Sequence, residues 1–181
     1  RQRKISASDR DLGSREVLQD EQDLIWYPAE VDTSIRPGWF YHTEEDDKVR
    51  SLEELLDVYY RSVGGNGTFL LNIPPTPDGL FHENDVKRLE ELGNAIREAF
   101  RSNLLESARL TADTAEAGHE IENARTEDYE TYFKTADGVT KCTIEAEWDA
   151  PQVFRHVVMK ENILLSQRVE SFSVEVRQNG L

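Results

Sequence analysis

The chain has 181 residues, 38% hydrophobic and 31% charged, which supplies a packed core and argues against wholesale disorder. Its net charge of −15 argues against a nucleic-acid phosphate surface or an anionic membrane as partner and is compatible with a neutral substrate such as a sugar. One cysteine, Cys142, excludes an internal disulfide and any cysteine-rich metal site, and no apolar run approaches the ~20 residues of a membrane helix.

Residues 1–23 are polar. Arg1-Gln-Arg-Lys4 is basic, with neither an initiator Met nor a signal peptide, so a piece of a longer chain is expected. A short helix is predicted near Asp11–Glu16, with Ser14 as its cap and Val17 and Leu18 facing inward. Leu24–Trp26 reads as a short strand, which Pro28 prevents from continuing as a central ladder. Residues 32–42 are expected to form a loop rich in aromatics. Thr43-Glu-Glu-Asp-Asp-Lys48 is an acidic turn, either a solvated loop or a cation site.

Ser51-Leu-Glu-Glu54 is a capping box, and Leu52, Leu55, Leu56, Tyr59 and Val63 follow helical spacing. Gly64-Gly-Asn-Gly67 ends that helix and can supply a left-handed cap. Thr68-Phe-Leu-Leu-Asn-Ile73 is apolar on both faces, as a buried parallel strand is, and Pro74-Pro75 stops it. A second amphipathic helix follows, with Asn84 as the expected cap and Val86, Leu89, Leu92, Ile96 and Phe100 as its stripe. Strand, helix, strand, helix over 24–100 predicts a parallel sheet with helices outside it.

The pattern changes near residue 103. Lys141–Trp148 alternates, with Cys142, Ile144, Ala146 and Trp148 on one face. Residues 153–159 and 168–176 are also strand-like, and Asp137-Gly138 suits a hairpin turn. An antiparallel sheet, as in a β-sandwich, is expected. The predicted domains are residues 1–103 and 104–181.

Residues 26–42 combine five aromatics with Glu30, Asp32, Arg36 and His42. This composition suits the lining of a ligand cleft; the alternative is an ordinary strand and loop with rings packed inward. In a (β/α) barrel, ligands meet the C-terminal ends of the strands, which selects residues 28–42 and Asn72-Ile-Pro-Pro75. Asn72 either orients a substrate hydroxyl or satisfies a neighbouring backbone group. Trp39 can stack on the apolar side of a sugar ring. Glu30 and Asp32, two apart, share one side of an extended chain, which permits either acid/base work or a structural ion pair with Arg36. The four histidines show no metal-ligand spacing, and the glycine cluster follows a helix instead of a strand, the wrong order for dinucleotide binding.

Trp26–His42, Ser62-Val-Gly-Gly-Asn66, Leu70-Leu-Asn-Ile-Pro-Pro75 and Gly79–Val86, with the later runs Val157–Ile163 and Gln167-Arg-Val169, resemble the α-L-fucosidases of glycoside hydrolase family 29 over about residues 11–176. The resemblance implies α/β then all-β architecture: the terminal βα units of a (β/α)8-like barrel, then part of an antiparallel β-sandwich. It implies retaining hydrolysis of α-L-fucosyl linkages by two carboxylates ~5 Å apart, without metal or cofactor. In the family the nucleophilic Asp lies on an earlier barrel strand in a Trp-x-Asp-Gly-like context, which does not occur here, and relatives sharing the Ser34–Trp39 block carry the acid/base Glu upstream of it; the resemblance thus implies that both lie upstream, and no catalytic residue is assigned. Trp39 matches an aromatic lining the fucose subsite, and Glu30 is retained as a carboxylate that either contacts the substrate or supports a residue that does. A fucosylated glycan, the remainder of the same polypeptide and a periplasmic or secreted bacterial location are implied; neither nucleic acid nor membrane is. The competing reading is a non-catalytic carbohydrate- or protein-binding β-sandwich module with a scaffold α/β segment.

Overall fold

A computed structural model describes residues 15–23 and 28–177. They fall into two compact units divided between Leu92 and Gly93, and each is described by itself. The expected strand Leu24–Trp26 and the Ser14 cap lie outside the described residues; the short helix is present as α1, Arg15–Leu18.

The first unit is built on a strand–helix–strand segment. β1, Glu30–Ser34, pairs in parallel with β2, Thr68–Asn72, in the register Glu30 to Thr68 through Ser34 to Asn72. β1 therefore begins after Pro28 and takes in Asp32–Ser34, which the sequence had placed in a loop. A proline two residues before the first ladder residue removes no amide the ladder needs. Side chains alternate across a strand, so Glu30, Asp32 and Ser34 share one face with Thr68, Leu70 and Asn72. The chain after β1 carries the other face inward, with Ile35 fully buried.

Between the strands lies α2, Leu52–Ser62. Its start is the expected capping box. Glu54 N–H donates to Ser51 Oγ at 3.2 Å, and Ser51 N–H donates to the Glu54 carboxylate at 2.7 Å. The apolar face buries Leu55 completely. Ser62 is also buried, its hydroxyl donating to Val58 O at 2.6 Å. The left-handed residue after the helix is Asn66 (φ 61°), a role that Asn tolerates. Gly67 serves a different need. Its N–H donates to Ser62 O at 2.7 Å, and a Cβ there would meet that oxygen at 3.1 Å and Ala29 O at 3.4 Å.

α3, Glu83–Ala99, begins one residue before the expected cap. His82 caps it instead: its Nδ1 accepts from Asn84 N–H at 3.2 Å, and its carbonyl accepts from the amides of Asp85 and Val86. Asn84 is thereby free to donate to Asp46 O at 2.8 Å. Leu92 is buried, whereas Val86 and Phe100 are about two-fifths exposed, at 38% and 42%.

In the second unit β3, Arg109–Ala112, pairs antiparallel with β4, Ile144–Glu147. Ala108, Leu110 and Ile121 form its core, with Leu105, Ala112, Phe133, Ala146 and Trp148 packed against it. Trp148 Nε1 donates to Leu104 O at 2.9 Å, and Arg125 donates to the carbonyls of Leu105, Glu106 and Ala108. The alternation over 141–148 thus marks a real strand, although Ile144 is 52% exposed. Residues 153–159 and 168–176 are not strands. A strand satisfies its backbone through a neighbouring strand, and the ladders among the described residues are β1 with β2 and β3 with β4. Asp137-Gly138 forms a turn with Gly138 at φ 81°, without flanking strands.

No helix among the described residues is long and apolar enough to cross a membrane.

Candidate functional site

An open groove of about 510 Å³ lies at the C-terminal ends of the two parallel strands, where the residues of β2 and the loops after β1 and β2 converge. It is lined by Asp32 from β1, by Leu70–Ile73 around the end of β2, by Trp39 from the loop after β1 and by Phe81 from the loop after β2. Trp39 and Phe81 are each 52% exposed. Two half-exposed rings, one carboxylate and one carboxamide make a surface that offers apolar faces and a charged acceptor to a small polar ligand.

Asn72 settles the geometry on the strand side. Its Nδ2 donates to Ser34 Oγ at 3.1 Å and to Trp39 O at 3.1 Å. It ties β2 to β1 and anchors the main chain beneath the Trp39 ring. Of the two roles the sequence allowed for Asn72, the structure displays the one that satisfies neighbouring groups. Further bonds fix the base of the loop: Ile35 N–H donates to Asn72 O at 2.9 Å, Arg50 N–H to Ile35 O at 2.9 Å, and Arg50 Nε to Ser34 O at 2.8 Å.

Beneath this loop lies an ion cluster. Arg36 and Asp85 are both fully buried, and Arg36 Nε donates to both oxygens of Asp85 at 3.0 Å. Nη1 donates to Asp46 Oδ1 at 2.9 Å and to His42 O at 3.4 Å. The Tyr41 hydroxyl donates to Asp46 Oδ2 at 3.2 Å, and the guanidinium carbon lies 4.8 Å from the Tyr41 ring centroid. His82 Nε2 is 3.4 Å from Asp46 Oδ2. Because His82 Nδ1 accepts an amide hydrogen, the ring proton sits on Nε2 and faces that carboxylate.

Burial opposes the charge of Arg36, but hydrogen bonds to Asp46 and Asp85 outweigh it and hold the guanidinium pKa above its ordinary value. Burial likewise opposes ionisation of Asp46, and the hydrogen bonds from Arg36 and Tyr41 prevail, keeping its carboxyl below the usual aspartate value. Burial, then the bond to Asp46, raises the Tyr41 phenol. The acidic turn at Thr43–Lys48 is thus part of an ion network, through Asp46. Among the described residues no group of three His, Cys, Asp or Glu is arranged to hold a metal ion.

With this geometry in view, comparison with known proteins is specific. The family model described as alpha-L-fucosidase matches residues 5–98. The chain belongs to the α-L-fucosidase family. Alpha-L-fucosidase 1 of Arabidopsis thaliana is 35% identical over 159 residues, covering 86% of this chain and 31% of the relative. Among solved structures, an α-L-fucosidase-family protein of Bacteroides thetaiotaomicron is 42% identical with a TM-score of 0.64, over 74% of this chain and 29% of that one. A GH29 fucosidase of Ruminococcus gnavus in complex with fucose is 34% identical with a TM-score of 0.62, over 66% and 24%. The chain therefore spans less than a third of the length of these relatives.

Of the two residues the sequence put forward as substrate contacts in this fucosidase-family chain, Trp39 lines the groove and Glu30 does not. Glu30 opens β1 on the same face as Asp32, but toward the strand's N-terminal end and away from the loops. Asp32 is the carboxylate in the groove. Arg36 pairs with Asp85 and Asp46, not with Glu30 or Asp32; it follows the buried end of β1, and its side chain enters the space below the loop. The sequence reading overlooked Phe81 and Asp85. Phe81 was legible in principle, since it stands in the loop after a parallel strand. Asp85 carried a signal too: with Leu89, Leu92 and Ile96 it falls at i, i+4, i+7 and i+11, a carboxylate on an apolar stripe.

Proposed function

We propose that the protein to which this chain belongs is a retaining α-L-fucosidase, and that the groove is one side of its fucose pocket. The observation that carries the reading is the position of Trp39 and Asp32, together at the C-terminal ends of parallel strands in a chain of this family. The ring offers an apolar face to the ring or methyl group of the sugar, while Asp32 offers an acceptor to a hydroxyl. Glu30 stands on the same face farther down β1 and contributes from below Asp32. The two catalytic carboxylates, ~5 Å apart in a retaining enzyme, are supplied by residues upstream of this chain. The relatives do not favour the alternative of a non-catalytic binding module.

In the same reading residues 1–103 are the last βα units of a (β/α)8-like catalytic barrel and 104–181 the start of a β-sandwich. The parallel pairing of β1 with β2 and the antiparallel pairing of β3 with β4 support it, as does the likeness to GH29 structures that cover this chain only in part. The substrate would be a fucosylated glycan and the setting periplasmic or secreted.

Kinetics of the full-length protein on an aryl α-L-fucoside test the reading. Turnover with retention is expected, and Trp39→Ala should raise KM and the inhibition constant of free fucose by at least tenfold, each tenfold corresponding to about 1.4 kcal/mol of binding. Absence of turnover by the unaltered protein sinks the fucosidase reading. Unchanged fucose inhibition in the Trp39 variant removes the groove from it.

A further inference from the structure

The two rings of the groove belong to different loops. Trp39 follows β1 and Phe81 follows β2. What joins those loops away from the strands is the buried cluster. Arg36 stands three residues before Trp39, and Asp85 four residues after Phe81. Arg36 reaches Asp85 through Nε at 3.0 Å, while Asp46, at the far end of the first loop, receives Arg36 Nη1 and lies beside His82 Nε2, and its carbonyl accepts from Asn84. We infer that the Arg36–Asp85–Asp46 cluster is a positioning device that sets the gap between the Trp39 and Phe81 rings and so determines what fits between them. The inference deepens the fucose-pocket reading and rests on it for the identity of the ligand.

Three observations support a positioning role over simple stabilisation. Both members of the central pair have no exposed surface, and an ion pair so placed is commonly no more stable than apolar residues of the same volume. Arg36 Nη2 is buried with no hydrogen-bond partner among the described residues, so the donors of this guanidinium are not all matched within the cluster. The cluster nevertheless reaches three residues of the α3 start, His82, Asn84 and Asp85, and fixes the direction in which the second loop leaves Phe81. These residues touch no substrate in this account; they act through the two rings.

The test uses the full-length protein with 5-fluorotryptophan incorporated, the Trp39 ¹⁹F resonance being assigned by its loss in Trp39→Phe. Two variants are compared with it. Arg36→Met with Asp85→Leu replaces the pair by apolar groups of similar size, and Asp46→Asn loosens the cluster at its most accessible member. In a variant that melts cooperatively, the Trp39 resonance is expected to shift or split, and the fucose inhibition constant to rise about tenfold with kcat per folded molecule falling less than twofold. Arg36→Lys with Asp85 intact should restore part of both. A Trp39 resonance unchanged in either folded variant overturns the inference, whatever the kinetics; should the double variant not fold, Asp46→Asn alone decides. Failure of the unaltered protein to turn over fucoside sinks the fucosidase reading and leaves the ¹⁹F result to judge this one.

Discussion

Asp46 shows how a single side chain in an acidic turn can be a structural anchor. Of the carboxylates in Thr43–Lys48 it alone is held by Arg36 and Tyr41, and its pKa lies below the ordinary value of 3.8. A carboxylate depressed on folding stabilises the native state above its unfolded pKa, and that contribution is lost as pH falls through the folded pKa. Acid titration of stability, followed by circular dichroism, should therefore lose part of its slope below about pH 4 in Asp46→Asn, with the curves of the two proteins converging at the acid end. Parallel curves separated by a constant offset would show that Asp46 does not titrate in this way. The residue scale is also where the sequence was least legible. An arginine next to Ile35 and Pro37 has several nearby acids to pair with, and the nearest in sequence, Asp32 and Glu30, are not its partners. Its partners are Asp46 and the fully buried Asp85, 49 residues away, a separation that spacing rules for strands and helices do not address.

At the scale of elements, local signals served well wherever the chemistry is local. The capping box at Ser51 and Glu54 is the same in sequence and structure because both partners lie within one turn. Ser51→Ala should cost about 1 kcal/mol of stability without altering fucose inhibition, read from denaturant midpoints. Gly67→Ala should cost about 1–3 kcal/mol, since the new Cβ would press on the backbone oxygens of Ser62 and Ala29, neither of which can swing aside. A neutral Gly67→Ala would contradict that account. Signals that depend on partners were less dependable. The alternation at 141–148 became β4 because Arg109–Ala112 supplies a ladder, whereas the equally strand-like 153–159 and 168–176 join no ladder among the described residues. β1 takes in Asp32–Ser34 for a related reason: pairing with Thr68–Asn72, not hydrophobic content, decides which residues of 28–34 enter the sheet.

At the scale of the whole molecule, the chain carries a groove and its supporting cluster but, in the proposed reading, not the carboxylates that cleave. The isolated 181-residue chain is accordingly expected to leave a chromogenic fucoside intact; clear turnover would place a catalytic carboxylate here, with Asp32 and Glu30 the first to replace. The family was legible from several separated blocks in order, the pocket only in part, because a groove is defined by which loops meet and meeting is a tertiary event. The cluster that joins those loops has a consequence for transplantation. Residues 35–50 cannot be treated as a cassette, since exchanging them for the corresponding loop of a relative with a different residue at position 36 would strand Asp85 as a lone buried acid. A chimera that replaces 35–50 alone should express poorly or melt early, and one that also replaces 81–85 should recover. The unit of inheritance for this wall of the groove is thus two loops with one helix turn, discontinuous in sequence and transferable only together.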